Sequence, residues 1–132
     1  MATPKNKVSG VPGTDPTLPS VEWIDDSGKK HYLCFTFQAI AVAQKVLRDE
    51  GVDCNILFAL EDFQHTDSIR IPALLYAALI PNEPKITYAE AQALITMKNY
   101  GKAHVAVVRA YVVSVGGVDP VGDEKENPKQ PE

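Results

Sequence analysis

The chain has 132 residues, 45% of them hydrophobic, and a formal net charge of −4. That length suits one domain around one core, and the acidic balance argues against a protein whose main business is the phosphate backbone, because the only basic clusters are the short pairs Lys5/Lys7 and Lys29-Lys30. No apolar run reaches membrane-spanning length, and Met1-Ala2-Thr3-Pro4-Lys5 has no apolar segment behind its basic residues, so a soluble intracellular protein without a secretory signal is expected.

Seven of the ten prolines lie near the ends: Pro4, Pro12, Pro16 and Pro19 in residues 1–20, and Pro120, Pro128 and Pro131 in residues 118–132. The last segment also carries five acids against two lysines and no aromatic residue. Both tails are therefore expected to be disordered, leaving a single globular domain over residues 21–117.

That domain opens with Val21-Glu22-Trp23-Ile24, a polar turn Asp25-Asp26-Ser27-Gly28, and Lys30-His31-Tyr32-Leu33-Cys34-Phe35, which reads as a β-hairpin. A lone hairpin is marginal in water, so Trp23, Tyr32 or Phe35 should pack on helices behind it. Thr36 can cap a helix from Phe37 to Asp49, with Phe37, Ile40, Ala41, Ala43, Gln44 and Leu47 near one face and Gly51 just past its end. A short helix from Asn55 to Leu60 follows, capped by Asp53 or Asn55.

The stretch Ile69-Arg70-Ile71-Pro72-Ala73-Leu74-Leu75-Tyr76-Ala77-Ala78-Leu79 is apolar almost all round from Leu74 onward, which predicts a helix buried among others. Asp67 and Ser68 are good caps, and Pro72 is tolerated only in the first turn, so the helix either starts near Arg70 or bends there; Pro81 and Pro84 end it. Thr87 and Glu90 form a capping-box pattern, with Ile86 and Ala91 as its hydrophobic staple. They predict a helix of about three turns from Tyr88, with Ala91, Leu94, Ile95 and Met97 near one face and Asn99 and Gly101 as stops. In Lys102 to Val115, six valines favour a strand by propensity. The length of the segment, its lack of strict alternation and the terminal Gly116-Gly117 favour a helix. The fold expected is mainly α: an N-terminal β-hairpin packed on a small bundle of about four to five helices.

No catalytic motif accompanies this fold. His31, His65 and His104 are far apart, and there is no Gly-x-Ser-x-Gly, His-Glu-x-x-His or phosphate-cradling glycine loop. His65 near Asp62, Asp67 and Ser68 offers the residue types of a triad, but acids and serines before a helix are usually caps. His31, Cys34, Cys54 and His65 are metal-ligand types at a spacing that matches no standard zinc module, and two isolated cysteines read as small buried hydrophobes. No enzyme, cofactor or metal site is expected. Asp67-Ser68-Ile69 resembles the Asp-Ser-Leu motif at which acyl and peptidyl carrier proteins receive phosphopantetheine, although Arg70, Ile71 and Pro72 replace the acidic residues that follow the serine in carriers.

A broader resemblance covers roughly Val21 to Val115. The order hairpin, helix, short helix, then Leu74-Leu75-Tyr76-Ala77-Ala78-Leu79 and Pro84-Lys85-Ile86-Thr87-Tyr88-Ala89-Glu90-Ala91, resembles the tail assembly chaperones of long-tailed phages and gene transfer agents. In that family a "Leu-Leu-Tyr-Ala-(Ala/Gly)-Leu" helix precedes a "Pro-x-(Leu/Ile)-Thr-x-x-Glu-Ala" helix start. The resemblance implies a non-enzymatic protein of the host-cell cytoplasm, absent from the mature virion, that binds the tape-measure protein and the tail-tube subunit during tail assembly. The first long helix departs from the family, which commonly has an acid where this chain has Gln44 and Lys45. Tyr100, Arg109 and Tyr111 are the candidate partner-binding residues, because exposed aromatic and Arg side chains often anchor interfaces. The other readings are a carrier-like protein modified at Ser68 and a small phage structural or regulatory protein; self-association stays open.

Overall fold

The computed structural model describes residues 19–62 and 67–117. Its elements, in order, are β1 (Val21–Ile24), β2 (Lys30–Leu33), α1 (Phe37–Asp49), α2 (Ile56–Leu60), α3 (Arg70–Leu79), α4 (Tyr88–Ala93) and α5 (Tyr100–Ser114). The fold is mainly helical, with the N-terminal antiparallel hairpin packed on the helices, as expected. Apart from Pro19 and Ser20, the expected tails lie outside the described residues, as does His65.

Val21 pairs with Leu33 and Trp23 with His31. The turn is closed by two 3.0 Å bonds, from the Gly28 N–H to the Asp25 carbonyl and from the Asp25 N–H to the Lys29 carbonyl. Gly28 has φ +91°, a left-handed backbone that puts a glycine bulge after the turn and keeps the strands twisted together. Alternation then sends Val21, Trp23, His31 and Leu33 inward. The second strand is shorter than its sequence suggests. Beyond Leu33 the Cys34 N–H donates to the Ala78 carbonyl at 3.1 Å and the Phe35 N–H to Ser114 Oγ at 2.8 Å, so the chain leaves the ladder and is held by α3 and α5.

Helix α1 begins as expected, with Thr36 Oγ1 accepting from the Ala39 N–H at 3.0 Å. Its buried stripe is Ala39, Ile40, Ala43 and Leu47. Phe37 is 75% exposed and Ala41 is exposed, which corrects their expected place on the inner face. Phe37 lies roughly 100° around the helix from that stripe. Gln44 takes a different job: its Oε1 accepts from the Ile56 N–H and its Nε2 donates to the Cys54 carbonyl, both at 2.8 Å, joining α1 to the loop that starts α2. A carboxylate there can accept the first bond but not donate the second. Gln44→Glu should therefore lower stability by about 1–3 kcal/mol, read as a lower urea midpoint; an unchanged midpoint would show that the two bonds contribute nothing.

Helix α3 is the central element, touching α1, α2, α4, α5 and β2. Every residue from Ile71 to Leu79 is buried, as its all-round apolar sequence predicts. It starts at Arg70 with Pro72 in the first turn. Asp67 Oδ1 caps it, accepting from the Ile69 and Arg70 N–H groups at 2.9 and 2.7 Å. The helical bond that Pro72 cannot make would have gone to the carbonyl of Ser68, an exposed residue.

Helix α4 opens on the expected capping box, Glu90 N–H to Thr87 Oγ1 at 3.1 Å and Thr87 N–H to Glu90 Oε1 at 3.0 Å. It ends at Ala93, a turn earlier than predicted. The Asn99 side chain is the cause: its Nδ2 donates to the Leu94 carbonyl at 2.9 Å and its Oδ1 accepts from the Thr96 N–H at 2.8 Å, folding residues 94–99 into a turn. Met97 is 87% exposed in that turn, not on a core face. Asn99 then leads straight into α5, so it starts a helix as well as stopping one, and Gly101 lies inside α5.

Helix, not strand, is the outcome for the valine-rich segment. The inner stripe of α5 is Ala103, Ala106, Val107 and Ala110, at spacings of three and four residues. Small residues carry the period, and most of the valines flank it. The helix closes with Gly117 N–H to Val112 carbonyl at 2.8 Å and Gly116 N–H to Val113 carbonyl at 3.0 Å. A Cβ on Gly117 would lie 2.8 Å from the Val112 side chain, so the second glycine answers to lack of space.

Candidate functional site

The three predicted partner-binding residues do not form one patch. Tyr100 is 48% exposed, whereas Arg109 and Tyr111 are half-buried. At roughly 100° per residue, Arg109 sits on the side of α5 opposite Tyr100, and Tyr111 lies in line with Tyr100 but about 16 Å along the axis. Tyr111 packs edge-on against Phe35 with ring centroids 6.4 Å apart, which places it on the rim of the core.

Tyr100 has other neighbours. With Ile71 and Pro72 from the start of α3, and Ile95 and Met97 from the turn after α4, it lines an open groove of about 660 Å³. Ser68 lies at one edge, exposed at the head of α3. The groove is apolar at its floor and carries a Met and a Tyr at its rim, a composition suited to an adaptable protein contact. Sequence reasoning missed Met97 because it continued the α4 period through the turn that Asn99 makes.

On the hairpin side, His31 is 2% exposed and lies between two acids. Its Nε2 is 2.8 Å from Asp25 Oδ2 and its Nδ1 is 2.7 Å from Glu83 Oε2, and the Trp23 ring lies 5.5 Å away at a 33° tilt. Each ring nitrogen is thus within hydrogen-bond distance of a carboxylate oxygen, which fixes the ring between the hairpin turn and the segment after α3. Burial pushes the Asp25 carboxyl up. Hydrogen bonds from the Ser27 hydroxyl, the His31 ring and the Lys29 and Ser27 N–H groups outweigh it and hold Asp25 well below the usual carboxylate range. The arrangement pins hairpin to helices and leaves neither ring nitrogen open to a substrate. Nothing local in the sequence points to Glu83, 52 positions away; the period-two pattern that turns Leu33 inward does predict an inward His31.

A second staple lies beside it. Asp26 accepts from Thr96 Oγ1 at 2.9 Å and from Asn99 Nδ2 at 3.1 Å, tying the hairpin turn to the α4–α5 turn.

Cys34 and Cys54 are buried free thiols, and burial pushes both up, away from the thiolate form that attacks substrates or binds metals. Among the described residues no three His, Cys, Asp or Glu side chains gather to hold a metal ion. Of the Asp62, Asp67 and Ser68 set, Asp67 caps α3 and Asp62 lies 3.5 Å from Arg70 Nη1, while His65 lies outside the described residues. No helix among the described residues is long and apolar enough to cross a membrane.

No family model, curated protein or solved structure matches this chain.

Proposed function

We propose that this protein is a tail assembly chaperone of a long-tailed phage, prophage or gene transfer agent, which binds the tape-measure protein, and the tail-tube subunit with it, in the host cytoplasm before the tube polymerises. The observation that carries the reading is the groove beside Tyr100. The two segments that resemble the family build the scaffold next to it, Leu74 to Leu79 as the buried central helix and Pro84 to Ala91 as the turn and capping box of α4. The scaffold leaves Met97 and Tyr100 standing exposed on a well-packed domain. A long amphipathic client helix laid in such a groove would have its apolar face covered until assembly.

The test is affinity capture of the tagged full-length chain from cells expressing its native gene cluster, with mass spectrometry of bait and prey. Recovery of a long helical protein, lost with the double substitution Met97→Ser/Tyr100→Ser while the melting temperature holds, is the expected result. An undiminished yield from the double variant would remove the groove from the reading. One observation favours a second reading, the exposure of Ser68 at the head of α3. A phosphopantetheine adduct on Ser68 of the intact bait would establish a carrier-like protein instead.

A further inference from the structure

We propose that the outer face of α2 and the head of α3 dock a basic amphipathic helix of a partner protein, its apolar stripe on Leu57, Phe58 and Ile69 and its lysines or arginines over Asp53, Glu61 and Asp67. Helix α2 is covered on one side only: Ile56, Ala59 and Leu60 are buried, while Leu57 and Phe58 between them are 45% and 58% exposed. Ile69, also 45% exposed, stands beside them, because the residue after it, Arg70, holds its guanidinium carbon 5.8 Å from the centre of the Phe58 ring. Single apolar side chains at a surface are ordinary, but three on a short helix and its neighbour form a patch that association would cover.

Charge selects the occupant, once the charges already engaged are set aside. Residues 50–70 hold five acids, Glu50, Asp53, Glu61, Asp62 and Asp67, against one cation, Arg70, a balance of −4 that equals the formal net charge of the whole chain. Arg70 is spent, with Nη1 3.5 Å from Asp62 Oδ2 and the guanidinium over Phe58. Asp53, Glu61 and Asp67 meet no cation among the described residues. Asp67 caps α3 through backbone N–H groups and keeps its charge. Cys54, just ahead of α2, lies within electrostatic reach of both Asp53 and Asp67, and Glu61 follows the last residue of α2. Acids therefore stand at the start of α2, at its end and at the head of α3.

A helix whose apolar stripe is bordered by cations presents the complement of that surface. Phosphate backbones, anionic membranes and a second copy carrying the same acids are repelled from it. The inference does not rest on the tail-chaperone reading: this surface shares Asp67 with the groove beside Tyr100, and none of its apolar side chains.

The probe is an acetylated, amidated peptide of leucine and lysine in helical period, about 14 residues or roughly four turns long, added to the full ¹⁵N-labelled chain, with a leucine/glutamate peptide of the same pattern as comparison. The expected result is amide shifts at Asp53, Leu57, Phe58, Glu61 and Ile69 with the basic peptide and none with the acidic one. Leu57→Ser/Phe58→Ser, checked by its melting temperature, should weaken binding roughly tenfold or more. Among single charge changes, Glu61→Gln should weaken it about threefold, while Glu22→Gln on the hairpin should leave it within a factor of about two. Shifts centred on Met97 and Tyr100, equal binding of the acidic peptide, or an affinity untouched by Leu57→Ser/Phe58→Ser would each overturn the proposal. Equal losses from Glu61→Gln and Glu22→Gln would overturn it in favour of a general attraction to an acidic chain. Concentration-dependent shifts of the same amides without peptide would overturn it in favour of a second copy.

Discussion

His31→Ala is expected to lower the stability of this domain by about 3 kcal/mol, because it takes two hydrogen bonds to acid side chains away from a buried ring. Two carboxylates, Asp25 and Glu83, would then face an empty site. For a domain of this size the loss corresponds to a fall in melting temperature of more than about 10 °C. The pH dependence should change with it. Asp25 is held below its ordinary range in the folded state, so its contribution is fully present above the unfolded carboxylate pKa of about 4 and is lost as the pH falls from there toward the folded value. Urea titrations between pH 2 and 7 should show that acid limb in the native chain and a shallower one in His31→Ala, which lacks one of the bonds that hold Asp25 down. Identical limbs would mean that the Ser27 and Lys29 bonds alone set the Asp25 carboxyl.

Leu75→Ala should cost about 2–5 kcal/mol. Leu75 has no exposed surface, and it lies mid-way along a helix that every other helix contacts directly, so no free side can collapse to fill the cavity. Met97→Ala is the comparison: a change within about 0.5 kcal/mol is expected for a side chain that solvent already surrounds. Thermal melts of the two variants therefore separate core from rim. A Met97→Ala loss approaching that of Leu75→Ala would return Met97 to the core and remove the groove's rim.

Signals confined to a few neighbouring residues were legible in the sequence. The capping box at Thr87 and Glu90, the Thr36 cap, the hairpin turn at Gly28 and the all-round burial of Leu74 to Leu79 each depend on chemistry within one or two turns of chain. The stripe of α5 was harder to read, since its period is written in Ala103, Ala106 and Ala110 while the valines beside them shout strand. Phe37 and Met97 were misplaced for a shared reason: an apolar residue near the end of a helix was counted toward the inner face, although the helix had just begun at one and already stopped before the other. What periodicity could not reach is the polar stitching. Gln44 to Ile56, His31 to Glu83 and Asp26 to Asn99 join residues whose partners are fixed only by the packing of apolar surfaces elsewhere. The candidate groove inherits that difficulty, because Ile71, Pro72, Ile95 and Tyr100 become neighbours only after α3, α4 and α5 have docked.

The bond from the Phe35 N–H to Ser114 Oγ spans 79 positions, and with the His31 and Asp26 staples it fastens the first element of the fold to turns and helices made much later. During synthesis the hairpin therefore emerges from the ribosome without most of what holds it. At about 5–20 residues per second, roughly 4 to 16 seconds separate the appearance of Phe35 from that of Ser114. For that interval Trp23 and Leu33 have only part of their final packing, and the hairpin's inner face waits for partners that have not yet been made.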